Sequence, residues 1–169
     1  MSDTGISSSP RRVSHHFESR PAELRLKTVE RRLGAQLITV PAASPDQLEP
    51  AFVLIRKERA AALLVLTDAM FFGERRRITE LARSAVLPAI YSQREYVEAG
   101  GLASYGPSLV DMARRGAKHV DKVLRGAHPK DLPVEQPTKF ELVLNLKTGR
   151  DLGVVIPPSV LARADDVVR

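Results

Sequence analysis

SPDQLEPAFVLIRKERAAALLVLTD, residues 44–68, decides the fold class, because it holds one complete helix–strand unit with both ends marked. Ser44 sits where an N-cap belongs. Pro45 takes the first helical position, where its missing N–H costs nothing, and Gln47 is spaced to close a capping box. Leu48, Ala51, Phe52 and Ile55 then recur at i, i+3, i+4 and i+7, the stripe of a helix laid on a sheet. The run 61–66 that follows is apolar without alternation, which is how a strand covered on both faces reads. Units of this kind repeat in a parallel sheet wrapped by helices.

The unit does repeat. Residues 22–33 predict a helix stopped by Gly34, and 36–40 (QLITV) a β-branched strand. Ile78, Leu81, Ala82 and Ala85 mark another helix, 88–91 (PAIY) another strand, and 102–105 a further short one. A long helix comes next, capped by Ser108 with Asp111 completing the box and ended by Gly126. It carries Leu109, Met112, Ala113, Gly116, Val120, Val123 and Leu124 on one face. With right-handed crossovers these elements predict a three-layer α/β lobe over residues 21–128. The stripes Leu48/Phe52/Ile55 and Met112/Val120/Val123 are both expected to be buried against its sheet.

Composition shifts bound the lobe. Residues 1–20 are Ser- and Arg-rich and predict a disordered leader, with no apolar stretch to form a signal-peptide core. As encoded, such a chain stays in the cytoplasm. Residues 129–137 are proline-punctuated and predict a hinge or linker. Beyond it KFELVLNL, 139–146, alternates with Phe140, Leu142, Leu144 and Leu146 on one side, followed by a short helix at KTGRDLG and a closing helix at PPSVLARADDVV.

Several function classes fall away. Cysteine is absent, so disulfides, thiolate metal sites and cysteine nucleophiles are excluded. The net charge of +6 is dispersed, with 14 basic and 10 acidic residues in 1–85 and 12 and 10 in 86–169. With no Trp and 5% aromatic residues, that distribution reads as a solvated basic surface, not a nucleic-acid interface. No run reaches the ~20 apolar residues of a membrane span. G-x-S-x-G, G-x-G-x-x-G and the Walker lysine are missing, and His119 and His128 lack paired ligands at metal spacing. No catalytic constellation emerges, so the expectation is of no enzyme and no cofactor.

Ligands of open parallel sheets collect at the carboxyl ends of the strands. Thr67 and Asp68 stand after one strand, Ser92 to Glu95 after the next, and Ser104, Tyr105 and Gly106 after the one beyond. With Phe71 and Phe72 nearby, these loops would form one rim with apolar walls and a few polar anchors. Each residue has a second reading. Asp68 serves as a ligand anchor or caps the following helix, Phe71 lines the rim or joins the core, and Tyr105 is a core aromatic with an exposed hydroxyl. Arg75–Arg77 read as a solvated helix face.

The run LVLTDAMFFGERRRITELA, then EYVEAGGLASYG, DLPVEQPTKFELVLNLKT and the closing IPPSVLARAD, in that order, resembles the ABC-transporter substrate-binding proteins related to tryptophan- and tyrosine-binding proteins, from about Glu23 to the end. The resemblance implies a type I periplasmic-binding-protein fold of two α/β lobes with the ligand between them, of which this chain matches the second half. It implies an ABC permease as partner, a periplasmic location and a small organic ligand, such as an amino acid. It also implies a cleft contributed by Thr67, Asp68, the SQRE loop and the SYG turn. Residues 138–169 would then be a return segment belonging to the other lobe, with apolar faces free to dock irregularly or to form a homodimer. The alternative is a cytoplasmic sensor or regulatory domain of the same fold.

Overall fold

In the computed structural model of the chain, which describes residues 11–15 and 34–169, the unit at 44–68 folds as a helix feeding a parallel strand. Its start differs in detail from the expected box. Pro45–Gln47 forms a 3-10 turn, Ser44 makes no side-chain cap, and the Gln47 carboxamide oxygen accepts from the Ala43 N–H at 2.8 Å. Helix α1, Leu48–Lys57, buries Leu48, Phe52 and Ile55 as the stripe requires. Strand β3, Ala62–Val65, follows, then α2, Ala69–Gly73, and α3, Arg75–Ser84. Strand β4, Ala89–Tyr91, leads into α4, Arg94–Glu98, and strand β5, Ala103–Pro107, into the long α5, Leu109–Leu124.

The sheet begins earlier than the sequence indicated. Strand β1, Arg11–His15, pairs in parallel with β2, Ala35–Thr39, on one side and with β3 on the other. Residues 11–15 therefore do not belong to a disordered leader. The correction has a plain cause. Strand membership here comes from backbone pairing along both edges, and RRVSH offers none of the apolar periodicity by which a strand is recognised. The helix expected at 22–33 lies outside the described residues.

The full order is β2-β1-β3-β4-β5-β6-β7. Strand β6, Phe140–Asn145, pairs antiparallel with β5, and β7, Asp166–Val168, pairs parallel with β6. This corrects the return segment, which extends the lobe's own sheet instead of awaiting a sheet elsewhere. Val143 and Leu144 are buried. Asn145 accepts from the Thr148 N–H at 2.9 Å, capping α6, Leu146–Asp151, while the Thr148 hydroxyl donates to the Gly100 carbonyl at 3.0 Å. Val143 and Leu144 are therefore not available to a homodimer through 138–169. The expected closing helix is only one turn, α7, Pro158–Leu161, and its tail is β7, because Asp165 and its neighbours bond back to Leu142.

Helix α1 packs on α3, and α3 on α4. Beneath them lies a core of Val40, Phe52, Leu63, Val65, Phe71, Ile78, Tyr91 and Tyr96. Arg77 ties α3 to α1 by donating to Glu49 at 2.9 Å, so one member of the arginine triplet is a strut. The second predicted stripe fails. No residue of α5 is buried, and Val120 is 58% exposed. Amphipathicity identifies a face that wants cover, but it does not say what supplies it.

Candidate functional site

The carboxyl ends of β3, β4 and β5 form the rim. After β3, Thr67 is exposed and Asp68 is half-buried. Asp68 caps α2, its Oδ1 accepting from the Phe71 N–H at 3.0 Å. One of its oxygens is thus committed to the fold. Phe71 is turned into the core and is 5% exposed, so it is not a wall of the rim. Phe72 takes the outward place. It meets the Tyr96 ring edge-on at 6.3 Å, and the Arg75 guanidinium lies 4.9 Å above it. Two phenylalanines side by side thus separate their duties, one to the core and one toward the rim.

The β4–α4–β5 unit carries the polar content. Tyr91 pairs in register with Ser104, and the Tyr91 and Tyr96 rings stack at 4.7 Å. Gly106 holds the loop after β4 against β5, because a Cβ there would stand 1.8 Å from the Ser92 carbonyl oxygen. Gly101 is fixed the same way, with an added Cβ falling 2.6 Å from the Tyr91 ring. These close approaches bring Ser92, Glu95, Tyr96 and Ser104 onto one small unit.

Four buried polar atoms on that unit have no hydrogen-bond partner among the described residues: Ser92 Oγ, Glu95 Oε2, Tyr96 OH and Ser104 Oγ. Buried polar atoms are nearly always paired, and each unpaired one costs about 1–3 kcal/mol. Four within one strand–helix–strand unit make that unit the candidate site. Burial, reinforced by the Asp68 charge, pushes the Tyr96 phenol well above its usual range, so it stays a neutral donor. Glu95 offers a carboxylate acceptor, and the two serines can donate or accept.

Three of the expected residues, Ser92, Glu95 and Ser104, carry such atoms on this unit. Asp68 is near enough for its charge to act on Tyr96, and Thr67 precedes it at the exposed strand end. Tyr105 does not join: it alternates to the opposite face from Ser104, is 59% exposed, and stacks on Phe140 at 5.9 Å. The sequence reading missed Tyr96, although a chain with only three tyrosines that spaces two of them five apart across a strand end offered a signal.

Beside the site Arg94 fastens the rim. It donates to Glu98 at 3.0 Å and to Asp166 at 2.7 Å, and lies 3.6 Å from Glu141. Lys139 pairs with Glu141 at 3.0 Å and, with help from Ser108 and Arg94, holds that carboxyl below its usual range. Helix α4 is thereby pinned to β6 and β7. Among the described residues no cluster of three or more His, Asp or Glu could hold a metal, and no helix is long and apolar enough to cross a membrane.

Comparison with known proteins gives the family and the fold. A family model described as ABC transporter substrate binding protein matches residues 13–168, which takes the likeness ten residues further toward the N-terminus than the motifs did and includes part of β1. A conserved domain protein from Vibrio cholerae superposes with a TM-score of 0.82 at 25% identity, over 96% of this chain and 56% of that one. An ABC domain in complex with L-Trp from Streptococcus pneumonia superposes at 0.80 and 24% identity, over 94% and 55%. A substrate binding protein with adhesive properties from Clostridium difficile, ligand-free and open, superposes at 0.62 and 16% identity, over 94% and 54%. The chain thus spans little more than half the length of these relatives. No curated protein sequence matches it.

Proposed function

The chain belongs to the ABC transporter substrate-binding protein family, and from that premise we propose that it supplies one wall of a solute-binding cleft serving an ABC importer. The ligand is a small organic molecule with a cationic amino group and a hydrogen-bonding head, an amino acid being the simplest case. Glu95 pairs with the ammonium, while Ser92, Tyr96 and Ser104 bond the head group. The exposed edge of Phe72 supplies apolar contact. Asp68 positions α2 and adds negative potential at the rim. An ABC permease is the downstream partner and the periplasm the working compartment.

The observation that carries this reading is the set of four unpartnered polar atoms on the β4–α4–β5 unit. The complex of a structural neighbour with L-Trp supports the ligand class. Nothing in the site supplies a nucleophile with an adjacent base, which favours binding over catalysis.

A titration panel of amino acids, followed by backbone amide shifts up to millimolar concentrations, tests it. Expected are shifts confined to residues 92–106 and 67–72, saturating for at least one member of the panel. Glu95→Gln should remove them while Thr67→Ala leaves them. Shifts that map elsewhere, or that Glu95→Gln does not alter, would remove the site from this unit.

A further inference from the structure

We infer that Arg75 is a further ligand-binding residue, which holds the carboxylate of an amino acid whose ammonium is met by Glu95. This rests on the reading of the β4–α4–β5 unit as one wall of a solute cleft, and it adds the charge of the head group and the residue that selects for it. Arg75 opens α3, and it differs from the two arginines that follow. Arg77 is paired with Glu49 and Glu74, and Arg76 is exposed. Arg75 is half-buried. Its guanidinium lies 4.9 Å above the Phe72 ring and donates one N–H to the Phe72 carbonyl at 3.0 Å, and among the described residues no carboxylate pairs with it. The first turn of α3 holds no acidic residue, and the N-cap Glu74 is engaged by Arg77. A cation therefore stands at the positive end of a helix dipole without an ion-pair partner, where a negative charge is favoured.

Phe72 links that cation to the unpaired atoms of the site. It meets the Tyr96 ring edge-on at 6.3 Å, and Tyr96 is fully buried while its hydroxyl has no partner among the described residues. Burial, then the Asp68 charge, raises the proton affinity of that phenol, and the Arg75 charge opposes them, so both charges reach it. A cation with unused N–H groups, a neutral O–H donor and a carboxylate with one oxygen spent on capping α2 thus lie together without satisfying one another. A ligand carboxylate satisfies the first two at once. The planar guanidinium forks onto its oxygens, the phenol donates to one of them, and the stack on Phe72 holds the fork in place. Glu95 then takes the ammonium, with Asp68 adding negative potential. An amide offers Arg75 a dipole in place of a charge, so Arg75 selects amino acids over their carboxamides.

Titrating the full chain with L-alanine, L-leucine and L-phenylalanine, each beside its carboxamide, and following backbone amide shifts reads this preference directly. For whichever pair binds, the amino acid should bind about tenfold or more tightly than its amide, the range expected for losing a hydrogen-bonded charge. Arg75→Met keeps the length of the side chain and should bring the two affinities together. Arg75→Lys keeps the charge without the fork and should narrow the ratio without abolishing it. Arg76→Met, at the exposed neighbour, should leave it as in the parent. A purely structural Arg75 would weaken amino acid and amide alike, and an unchanged ratio in the Met or the Lys variant overturns the inference. So does a parent chain that binds both members of a pair equally, which leaves the cleft itself standing. No shift at residues 92–106 from any of these compounds would instead remove the cleft reading, and the role of Arg75 with it.

Discussion

Replacing Gly106 by alanine tests whether the close approach at the rim holds the site together. The added Cβ would lie 1.8 Å from the Ser92 carbonyl oxygen, against the 3.4 Å of ordinary contact, so about 1.6 Å of relief is needed. The obstacle is backbone, with no rotamer to turn aside. Gly106 pairs with Glu141 across the β5–β6 ladder, and Ser92 begins the loop into α4, so either side can yield only by breaking pairing or shifting a helix. Overpacking a core costs typically about 1–3 kcal/mol, and a clash between two backbone segments belongs at the top of that range. For a chain of this length about 3 kcal/mol lowers Tm by roughly 6–12 °C. Thermal and urea unfolding measure it, with Gly116→Ala as the contrast. Gly116 is helical and open, so alanine there should stabilise by up to about 1 kcal/mol. A cost below about 1 kcal/mol for Gly106→Ala, or equal responses at the two glycines, would refute the argument that backbone contact fixes the rim.

Phe52→Ala should cost about 3–5 kcal/mol in urea unfolding, since Phe52 is 5% exposed in the centre of the core; a change under about 1 kcal/mol would contradict that burial. Asp68→Ala should lower stability by about 1 kcal/mol through loss of the α2 cap, whereas Asp68→Asn, which can still cap, should leave stability near that of the parent and only weaken the ligand-induced shifts. The Glu141 carboxyl is held below its usual range, chiefly by its bond with Lys139. Its contribution is therefore fully present above the ordinary glutamate value near ~4.3 and is lost as pH falls through the lowered one. Urea midpoints measured from neutral to strongly acid pH should fall less steeply for Glu141→Gln than for the parent, and parallel curves would remove Glu141 from the acid response.

The parallel sheet was legible because its central strands announce themselves twice, by unbroken apolar runs and by the helix signals between them. Residues 61–66 and 88–91 need nothing else, and α1 buries the three residues its spacing nominates. Strand β1 carries neither mark. Its place is decided by β2 and β3, each of which lies far along the sequence, and no local pattern in RRVSH records a partner. KFELVLNL was read correctly as a strand. Its alternation pointed to one apolar side, whereas Val143 and Leu144 on opposite sides are both buried, and alternation is silent about which sheet receives it.

The same asymmetry runs through the site. Strand-end position nominated Ser92, Glu95 and Ser104, because the polar rim of a parallel sheet follows from topology alone. It could not separate Phe71 from Phe72, since the ~100° step between neighbouring helical residues turns one ring inward and leaves the other partly exposed. Nor could it free Asp68 from capping, because a carboxylate three residues before an available N–H satisfies both readings equally. What topology does settle is where unpaired groups can persist. The four orphan atoms lie at the carboxyl end of the sheet, beside a glycine contact too tight for any other residue and an arginine that fastens α4 to both added strands. Helix α5 leaves that same end immediately after Gly106 and exposes its apolar face along its whole length. The rim and the uncovered helix are therefore joined by two residues of chain, Pro107 and Ser108. Ser108 caps that helix and bonds Glu141, so the start of α5 is tied to the strand that Arg94 holds against α4.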